Sequence, residues 1–331
     1  MNKRIALLYG GADSEHDVSC MGYEYVSELL NDTKYEILPV YITRGGTWTV
    51  KKDGRDSAAY LSRENGGCLV TNSGSIKIDA AIPLLHGKGG EDGSVQGALE
   101  CARIPYVGAD VCTSALCLDK TYAKAIAESL GIPTVPSVSP KRYESTEAAL
   151  KSVTEKLSFP MFIKPRRLGS SVGAYPVYSE SDFRKYYPMA SEIGDGALII
   201  EKCLTDKREL ECAYVELGGK KTVTPPGEIL IEGFYGYSEK YSGKTHTVPR
   251  SALKTEITDT LICYGERLAE AMMLRHLGRI DFFLSEGRIY FNEINTFPGF
   301  TKESLYPKML ESYGISPKDA MLSFIEDTLA W

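Results

Sequence analysis

Short apolar runs alternate with longer amphipathic segments through the first third of the chain, which predicts strands and helices in turn. Ile5–Tyr9, Ile37–Ile42 and Ala80–Leu85 are typical of buried strands, and Asp17–Leu30 is typical of a helix. Each predicted strand is followed by a segment that contains glycine. Open α/β sheets bind ligands at such strand ends, so the pattern predicts an N-terminal α/β domain with a ligand crevice.

The remaining chain continues with predicted helices and strands. Helices are expected at Asp92–Cys101, Thr113–Leu130 and Thr255–Met273. Strands are expected at Met161–Lys164, Gly173–Val177, Ala197–Glu201 and along Gly278–Thr301.

Breaks in this pattern divide the chain. Gly131-Ile132-Pro133, followed by Pro136 and Pro140, is typical of a hinge, and the polar, tyrosine-rich insertion 233–250 is typical of either a functional lid or a disordered segment. A chain of 331 residues also exceeds one typical domain. We predict three domains: an N-terminal α/β substrate domain (1–115), a central domain (116–196) and a C-terminal domain (197–331).

The segment 278–301 has the pattern of a metal-binding β-hairpin. Arg279 and Asp281 are two residues apart on one run, as are Glu293 and Asn295 on the next, so each pair shares a strand face. The stretch 285–288 supplies a turn between the runs. Oxygen ligands of this kind suit Mg²⁺, while the alternative is a solvated face with ordinary surface charges.

Two glycine-rich loops also follow predicted strands. The loop 164–173 combines Lys164 with serines and glycines that can contact phosphate, although it is not a Walker A sequence. Its G-x-S-x-G spacing also permits a serine hydrolase with Ser171 as nucleophile. The loop 86–93 places His86 at a strand end, where a site and a structural histidine are equally expected.

Composition removes several classes of protein. The residues are 43% hydrophobic and 25% charged, as in a globular protein. The net charge is −6 and no basic stripe stands out, which argues against a nucleic-acid-binding protein. No apolar run reaches the length of a membrane span. The eight cysteines form no CxxC pair, which favours a reduced, cytoplasmic protein, and the four histidines lack zinc spacing.

Taken together, the motifs resemble the D-alanine–D-alanine ligases of the ATP-grasp superfamily. They occur in the family's order: GGADSEHDVS (10–19), HGKGGEDGSVQGALE (86–100), LDK (118–120), KPRRLGSSVG (164–173), EK (201–202), EKY (239–241), GRIDFF (278–283) and NEINTFPGFTKESLYP (292–307). The resemblance implies an ATP-grasp fold of mixed α/β class, with a Rossmann-like N-terminal domain and three domains in all.

The resemblance also implies a two-step ligation that supplies peptidoglycan precursors. The first D-alanine takes the γ-phosphate of ATP to give an acyl phosphate, and the amine of the second D-alanine displaces phosphate. ATP and two Mg²⁺ (or Mn²⁺) ions are the implied cofactors, small molecules the implied partners, and a homodimer the implied assembly. Neither nucleic acid nor a membrane is expected as a partner.

Residue roles follow from the matched motifs. Implied ATP-binding residues are Lys120, Lys164, Ser171, Glu201, Lys202 and Glu209. Implied metal ligands are Asp281, Glu293 and Asn295. Implied catalytic residues are Glu15, Ser170, Tyr241, Arg279 and Gly299. Implied substrate-binding residues are His86, Lys240, Ser304 and Leu305.

The chain departs from the family pattern in places. The stretch 201–209 is one residue longer than usual, and Arg166-Arg167 makes the phosphate loop unusually basic. Tyr241 argues against D-alanyl-D-lactate as product, but D-alanyl-D-serine stays an alternative. A non-catalytic nucleotide-binding protein is a further alternative, opposed by the intact set Arg279, Asp281, Glu293 and Asn295.

Overall fold

The computed structural model describes residues 2–12, 14–52, 55–204, 206–230 and 246–330. Its helices are α1 (His16–Leu29), α2 (Ser94–Ala102), α3 (Val111–Leu118), α4 (Lys120–Ser129), α5 (Thr146–Thr154), α6 (Glu180–Ile193), α7 (Thr255–Ala271), α8 (Leu305–Ser312) and α9 (Pro317–Leu329). Its strands are β1 (Arg4–Gly10), β2 (Glu36–Ile42), β3 (Trp48–Lys52), β4 (Arg55–Ser62), β5 (Cys68–Thr71), β6 (Gly74–Lys77), β7 (Ala80–Pro83), β8 (Ser137–Val138), β9 (Met161–Pro165), β10 (Tyr175–Val177), β11 (Leu198–Lys202), β12 (Arg208–Leu217), β13 (Lys220–Val223), β14 (Gly227–Leu230), β15 (His246–Val248), β16 (Leu277–Ser285) and β17 (Arg288–Asn295).

The N-terminal sheet has the order β6-β5-β4-β3-β2-β1-β7. Its parallel part, β2-β1-β7, consists of the three predicted apolar strands. Strands β3 to β6 extend the sheet in antiparallel fashion and were not predicted, because the stretch 48–77 is largely polar and its strands are short. The carboxyl ends of β1 and β7 lie side by side, which brings the segments after them to one edge of the sheet.

A four-stranded central sheet has the order β10-β9-β11-β8. Strand β11 pairs antiparallel with both β9 and β8, and Ile199 lies opposite Lys164. β11 therefore belongs to the central sheet, although the predicted division places residue 197 at the start of the C-terminal domain. The three-domain division itself stays a prediction.

The C-terminal sheet has the order β15-β14-β12-β16-β17, with β13 paired to β12. The predicted hairpin is confirmed: Arg279 lies opposite Asn295 and Asp281 opposite Glu293. The turn passes through Glu286 and Gly287, whose φ angles of 50° and 75° are the left-handed values that a tight hairpin turn requires. The register shifts after Asp281, because Asp281 pairs with Glu293 and Phe282 pairs with Phe291, which leaves Asn292 as the extra residue of a bulge in β17 at the edge of the polar cluster.

The single helix predicted at Thr113–Leu130 is wrong, because the chain forms α3 and α4 with a break at Asp119. Asp119 has φ −80° and ψ 102°, an extended conformation, and its carboxylate accepts a hydrogen bond from the backbone N–H of Thr121. The apolar period continues across the break, so periodicity alone missed the N-cap residue that starts α4.

The N- and C-terminal parts share one hydrophobic core. Ile5 of β1 and Val26 of α1 belong to the same buried cluster as Leu277 of β16, Phe300 and Phe324 of α9. This shared packing brings the loop after β17 against the ends of β1 and β7. Within the described residues, no helix is both long enough and apolar enough to cross a membrane.

Candidate active site

Two adjoining cavities lie where the three sheets meet. The larger has a volume of about 490 Å³ and the smaller about 210 Å³. Every predicted site residue that the structure describes lines one or both of them. The residues that line both are Lys120, Gly169, Ser170, Glu211, Ile229, Arg279 and Glu293.

The far wall of the larger cavity contains a three-membered ion cluster. Glu201 of β11 is buried, and one carboxylate oxygen lies 2.6 Å from the Lys164 ammonium nitrogen on β9. The other oxygen lies 2.7 Å from the ammonium of Lys124 on α4. Burial alone would raise the pKa of Glu201, but the two ammonium groups outweigh it and hold the pKa far below its usual range. Glu201 is therefore a carboxylate, and it holds Lys164 at the cavity wall.

Lys120 stands at the boundary between the cavities. Its ammonium lies 3.0 Å from Glu293 and donates a hydrogen bond of 2.8 Å to the carbonyl of Leu168 in the loop 164–173, which we call the serine loop. Lys120 is the first residue of α4, and its backbone N–H donates to the carbonyl of Arg166. The loop and the helix are thus fixed to one another beside Glu293.

Arg166 and Arg167, which make this loop unusually basic, pair with a carboxylate of the protein and line neither cavity. Both guanidinium groups donate to Asp119, at 2.9 Å from Arg166 and 2.8 Å from Arg167. Asp119 is 1% exposed, so one buried carboxylate receives both cations. The same aspartate that begins α4 therefore fixes the start of the serine loop.

The hairpin places a dense set of charges on the shared wall. The Arg279 guanidinium makes two hydrogen bonds to Asp281, of 2.8 and 2.7 Å, and lies 3.2 Å from Glu211 of β12. Asn295 donates to the same Asp281 carboxylate at 3.1 Å. Burial alone would lower the pKa of Arg279, but Asp281 and Glu211 outweigh it and raise the pKa further. The guanidinium keeps its charge.

The donor set agrees with a hard cation. Asp281 and Glu293 are carboxylates that face each other across the hairpin, and Asn295 adds an amide oxygen. Acidic groups are in excess on this wall, where Asp281, Glu293 and Glu211 meet the cations Arg279 and Lys120. Within the described ranges, no group of three or more His, Cys, Asp and Glu side chains has the arrangement of a metal site. The candidate set predicted from the sequence is of another kind, with two carboxylates and an amide.

The smaller cavity is bounded by the N-terminal domain. Ser170 donates a hydrogen bond of 2.6 Å to Glu15, the residue immediately before α1. Ser170 and Ser171 have left-handed φ values of 49° and 59°, a conformation that few non-glycine residues adopt. His86 lies three residues after the end of β7, and its Nδ1 is 3.2 Å from the carbonyl oxygen of Phe297.

A buried glutamate holds the two loops of the smaller cavity together. Glu91 accepts a hydrogen bond of 2.9 Å from the N–H of Gly87 and one of 3.3 Å from the N–H of Phe297. Burial raises its pKa to about 8, although the two N–H donors act in the opposite direction. Glu91 therefore joins the loop that carries His86 to the loop that carries Gly299.

The loop after β17 is shaped by serine and threonine. The Ser304 hydroxyl accepts a hydrogen bond of 3.1 Å from the N–H of Thr301 and lies 2.8 Å from the Thr301 hydroxyl. A Cβ added to Gly299 would lie 3.0 Å from this hydroxyl oxygen, so a larger residue would have to displace it. Leu305 then begins α8 and closes the cavity.

Comparisons with known proteins agree with this geometry. The family models described as D-ala D-ala ligase N-terminus and C-terminus match residues 4–109 and 126–326. The chain belongs to the D-alanine–D-alanine ligase family. A D-alanine–D-alanine ligase of a Thermoanaerobacter species is 37% identical over 338 residues, which cover 95% of this chain and 93% of the relative.

Solved structures of ligases superpose on the whole chain. D-alanyl-alanine synthetase A of Vibrio cholerae has a TM-score of 0.89 at 34% identity and covers 100% of both chains. The VanG D-Ala:D-Ser ligase of Enterococcus faecalis also has a TM-score of 0.89, at 32% identity, and covers 99% of this chain and 100% of its own. The fold of the ligase family, ATP-grasp, is thereby confirmed.

Some residues of this ligase were not singled out from the sequence. Glu211 follows Glu209 by two residues on β12, so the period of a strand could have revealed it. Lys124 lies one helical turn after Lys120 on α4, and Glu91 lies within a motif already noted. Conversely, Lys240 and Tyr241 lie outside the described residues, as does most of the predicted lid 233–250.

Two further expectations from the sequence concern Glu209, as a ribose ligand, and Ser171, as a hydrolase nucleophile. Glu209 lines the larger cavity and pairs at 2.6 Å with Lys207, inside the stretch that is longer than usual. A hydrolase elbow requires a strand, a sharp turn at the serine and a helix. Strand β9 ends at Pro165, and residues 166–174 contain turns but no helix, so Ser171 lacks this geometry.

Proposed function

We propose that the two joined cavities are the site where this chain, a member of the D-alanine–D-alanine ligase family, joins two D-alanines with consumption of ATP. The observation that carries the proposal is the shared wall of Lys120, Ser170, Arg279 and Glu293. A phosphoryl group and a carboxylate must meet for ATP to activate an amino acid. The junction of a cation-lined cavity with a cavity of amino-acid size provides that meeting point.

In this proposal the larger cavity holds the nucleotide. Lys120 and Lys164 contact the phosphates from opposite sides, and the serine loop adds Ser171 and backbone N–H groups. Lys202 is at the end of β11 and borders the adenine, while Glu209 accepts from the ribose hydroxyls after it releases Lys207.

Asp281, Glu293 and Asn295 would hold Mg²⁺ or Mn²⁺ ions. The excess of carboxylates on the hairpin supports this assignment, since a cation balances the charge. When bound, such ions neutralise charge on the transferred phosphoryl group. The positions of the ions and their number stay predictions.

In this proposal the smaller cavity holds the amino acids. Glu15 binds the ammonium group of the first D-alanine and His86 lies near its carboxylate, which attacks the γ-phosphorus as ADP leaves. The amine of the second D-alanine, bound through its carboxylate near Ser304 and Leu305, then attacks the acyl carbon, loses a proton and expels phosphate.

Developing negative charge on the acyl oxygen must be balanced in the second step. Arg279 and the N–H of Gly299 both border this cavity and are proposed as the oxyanion hole. Lys240 and Tyr241 are proposed to complete the second-substrate site and to cover it. A homodimer and a cytoplasmic location, where peptidoglycan precursors are made, complete the proposal.

Phosphate release from ATP·Mg²⁺ tests this function. D-Alanine alone is expected to support release, with D-alanyl-D-alanine as the product identified by mass. A predominant mixed dipeptide when D-serine is added would assign the second substrate of the VanG type. Absence of phosphate release with D-alanine, D-serine and D-lactate alike would contradict the ligation.

A further inference from the structure

The buried ion cluster behind the larger cavity has one more cation than a simple pair requires. Lys164 lines the cavity and is matched by Glu201, so the pair of these two residues alone would be neutral. Lys124 is 3% exposed, does not line the cavity and binds the other oxygen of Glu201 at 2.7 Å. With two lysines and one glutamate, the cluster has a net formal charge of +1.

We infer that Lys124 is a positioning residue for nucleotide binding, which offsets the charge of Glu201 so that Lys164 remains an effective cation for phosphate. This inference rests on the proposed nucleotide role of the larger cavity.

Burying a lysine is unfavourable unless its charge has a purpose or a partner. Glu201 would be fully compensated by Lys164 alone, so the cost of burying Lys124 is not explained by pairing. The two lysines also fix the orientation of the Glu201 carboxylate, because Lys164 binds one oxygen and Lys124 binds the other. Glu201 thus holds the Lys164 ammonium in place, while Lys124 offsets part of the negative charge of the carboxylate.

The helix that carries Lys124 also carries Lys120. The two lysines are four residues apart on α4, so they lie on one face, and Lys120 contacts Glu293 as Lys124 contacts Glu201. One buried helix face thus adjusts the charge on both sides of the cavity. The Asp119 carboxylate fixes the start of this helix to the serine loop through Arg166.

The first test is the affinity for ATP·Mg²⁺ of Lys124→Met, measured by direct titration. We expect the dissociation constant to rise by about tenfold, because the remaining pair of Lys164 and Glu201 is neutral. The KM for D-alanine should stay within about threefold, which a general loss of structure would not leave unchanged. Lys151→Met, an exposed lysine of α5 in the same part of the chain, serves as the matched control and should bind nucleotide normally.

The decisive test is rescue. Lys124→Arg keeps a cation beside Glu201, so its affinity for ATP·Mg²⁺ should stay within about threefold of wild type, whereas Lys124→Gln, which keeps a hydrogen-bond donor but no charge, should lose about tenfold like Lys124→Met. If Lys124→Met does not fold, the comparison of Lys124→Gln with Lys124→Arg tests the inference. Normal affinity in the neutral variants, or a tenfold loss that persists in Lys124→Arg, would overturn it. A wild-type protein that binds ATP but forms no dipeptide would contradict the proposed ligation and leave this inference standing.

Discussion

The two cavities share a wall but hold their polar groups in different ways. In the larger cavity charges are paired with charges: Lys164 with Glu201, and Arg279 with Asp281. The buried acid that lines the smaller cavity alone, Glu91, is instead held by two backbone N–H groups, from Gly87 and Phe297.

This difference fits the two kinds of ligand. Ion pairs between side chains can exchange partners when an anionic nucleotide and its cations enter, because the new charges replace the old ones. Hydrogen bonds from backbone groups keep a fixed geometry, which suits the placement of two small amino acids for reaction. We therefore expect substitutions that remove a charge to impair the larger cavity most. Substitutions that remove a hydrogen bond between loops should impair the smaller cavity most.

The largest effect is expected at the shared wall, where Glu293→Gln should lower phosphate release by at least about a hundredfold. The change removes a carboxylate that pairs with Lys120 at 3.0 Å and that is proposed to hold the metal ions. Steady-state assays with varied Mg²⁺ measure it. Glu303→Gln, which alters an exposed surface pair with Lys308, is the control and should remain active. Normal turnover in Glu293→Gln would refute the metal assignment.

The second prediction concerns Glu91 in the smaller cavity and the dependence of the unfolding free energy on pH. The pKa of Glu91 is raised from 4.5 to about 8 in the folded protein, so the folded state binds the additional proton between these values. The contribution of Glu91 to stability is therefore full below pH 4.5 and is lost as pH rises toward 8. Over this range the unfolding free energy of wild type should fall by roughly 3–5 kcal/mol relative to that of Glu91→Gln.

Denaturant unfolding of both proteins at several pH values between these limits measures that difference. Glu91→Gln is expected to be less stable at low pH, since an amide can accept only one of the two N–H bonds. The separation between the proteins should then narrow as pH rises. Two pH profiles that run parallel would show that Glu91 ionises normally.

The third prediction separates the cavities through adjacent serines. Ser170→Ala removes the 2.6 Å hydrogen bond to Glu15 and should raise the KM for D-alanine by about tenfold, with little change for ATP. Ser171→Ala, in the larger cavity only, should raise the KM for ATP instead. Initial rates with each substrate varied in turn provide the test. Equal effects of both variants on both substrates would mean that the cavities do not act separately.

What could be predicted from the sequence follows the distance along the chain between partners. The two strands of the hairpin and the pairing of Asp281 with Glu293 were predicted, because these residues are close in sequence and a strand repeats every two residues; the register shift beside them was not. The contact of Glu91 with Phe297 joins residues that are 206 apart, and no local period reports it. The ion pair of Lys124 with Glu201 was missed for the same reason.

The errors in the secondary structure have a similar origin. Helices α3 and α4 were predicted as one, because the apolar period continues across Asp119, which caps α4 through the N–H of Thr121 and also binds Arg166 and Arg167 of a distant loop. The pairing of β11 with β9 was likewise not visible from position in the chain, since the predicted domain boundary, which stays a prediction, falls just before β11. The candidate site residues came from the matched motifs, because the family pattern assigns residues of distant segments to one site.

The smallest effect is expected from the basic part of the serine loop, at Arg167. Arg167 contributes to the unusually basic sequence of this loop, but its guanidinium binds Asp119 at 2.8 Å and its side chain is 56% exposed. Because the Arg167 side chain is largely in solvent, its pair with the buried Asp119 contributes little, and Arg166 still pairs with Asp119 when Arg167 is absent. Arg167→Ala should therefore change the KM for ATP by less than about threefold, whereas Lys164→Ala should raise it by at least about tenfold. A large loss in Arg167→Ala would show that the arginine leaves Asp119 for the nucleotide, and the paired charges of the larger cavity would then extend into the loop.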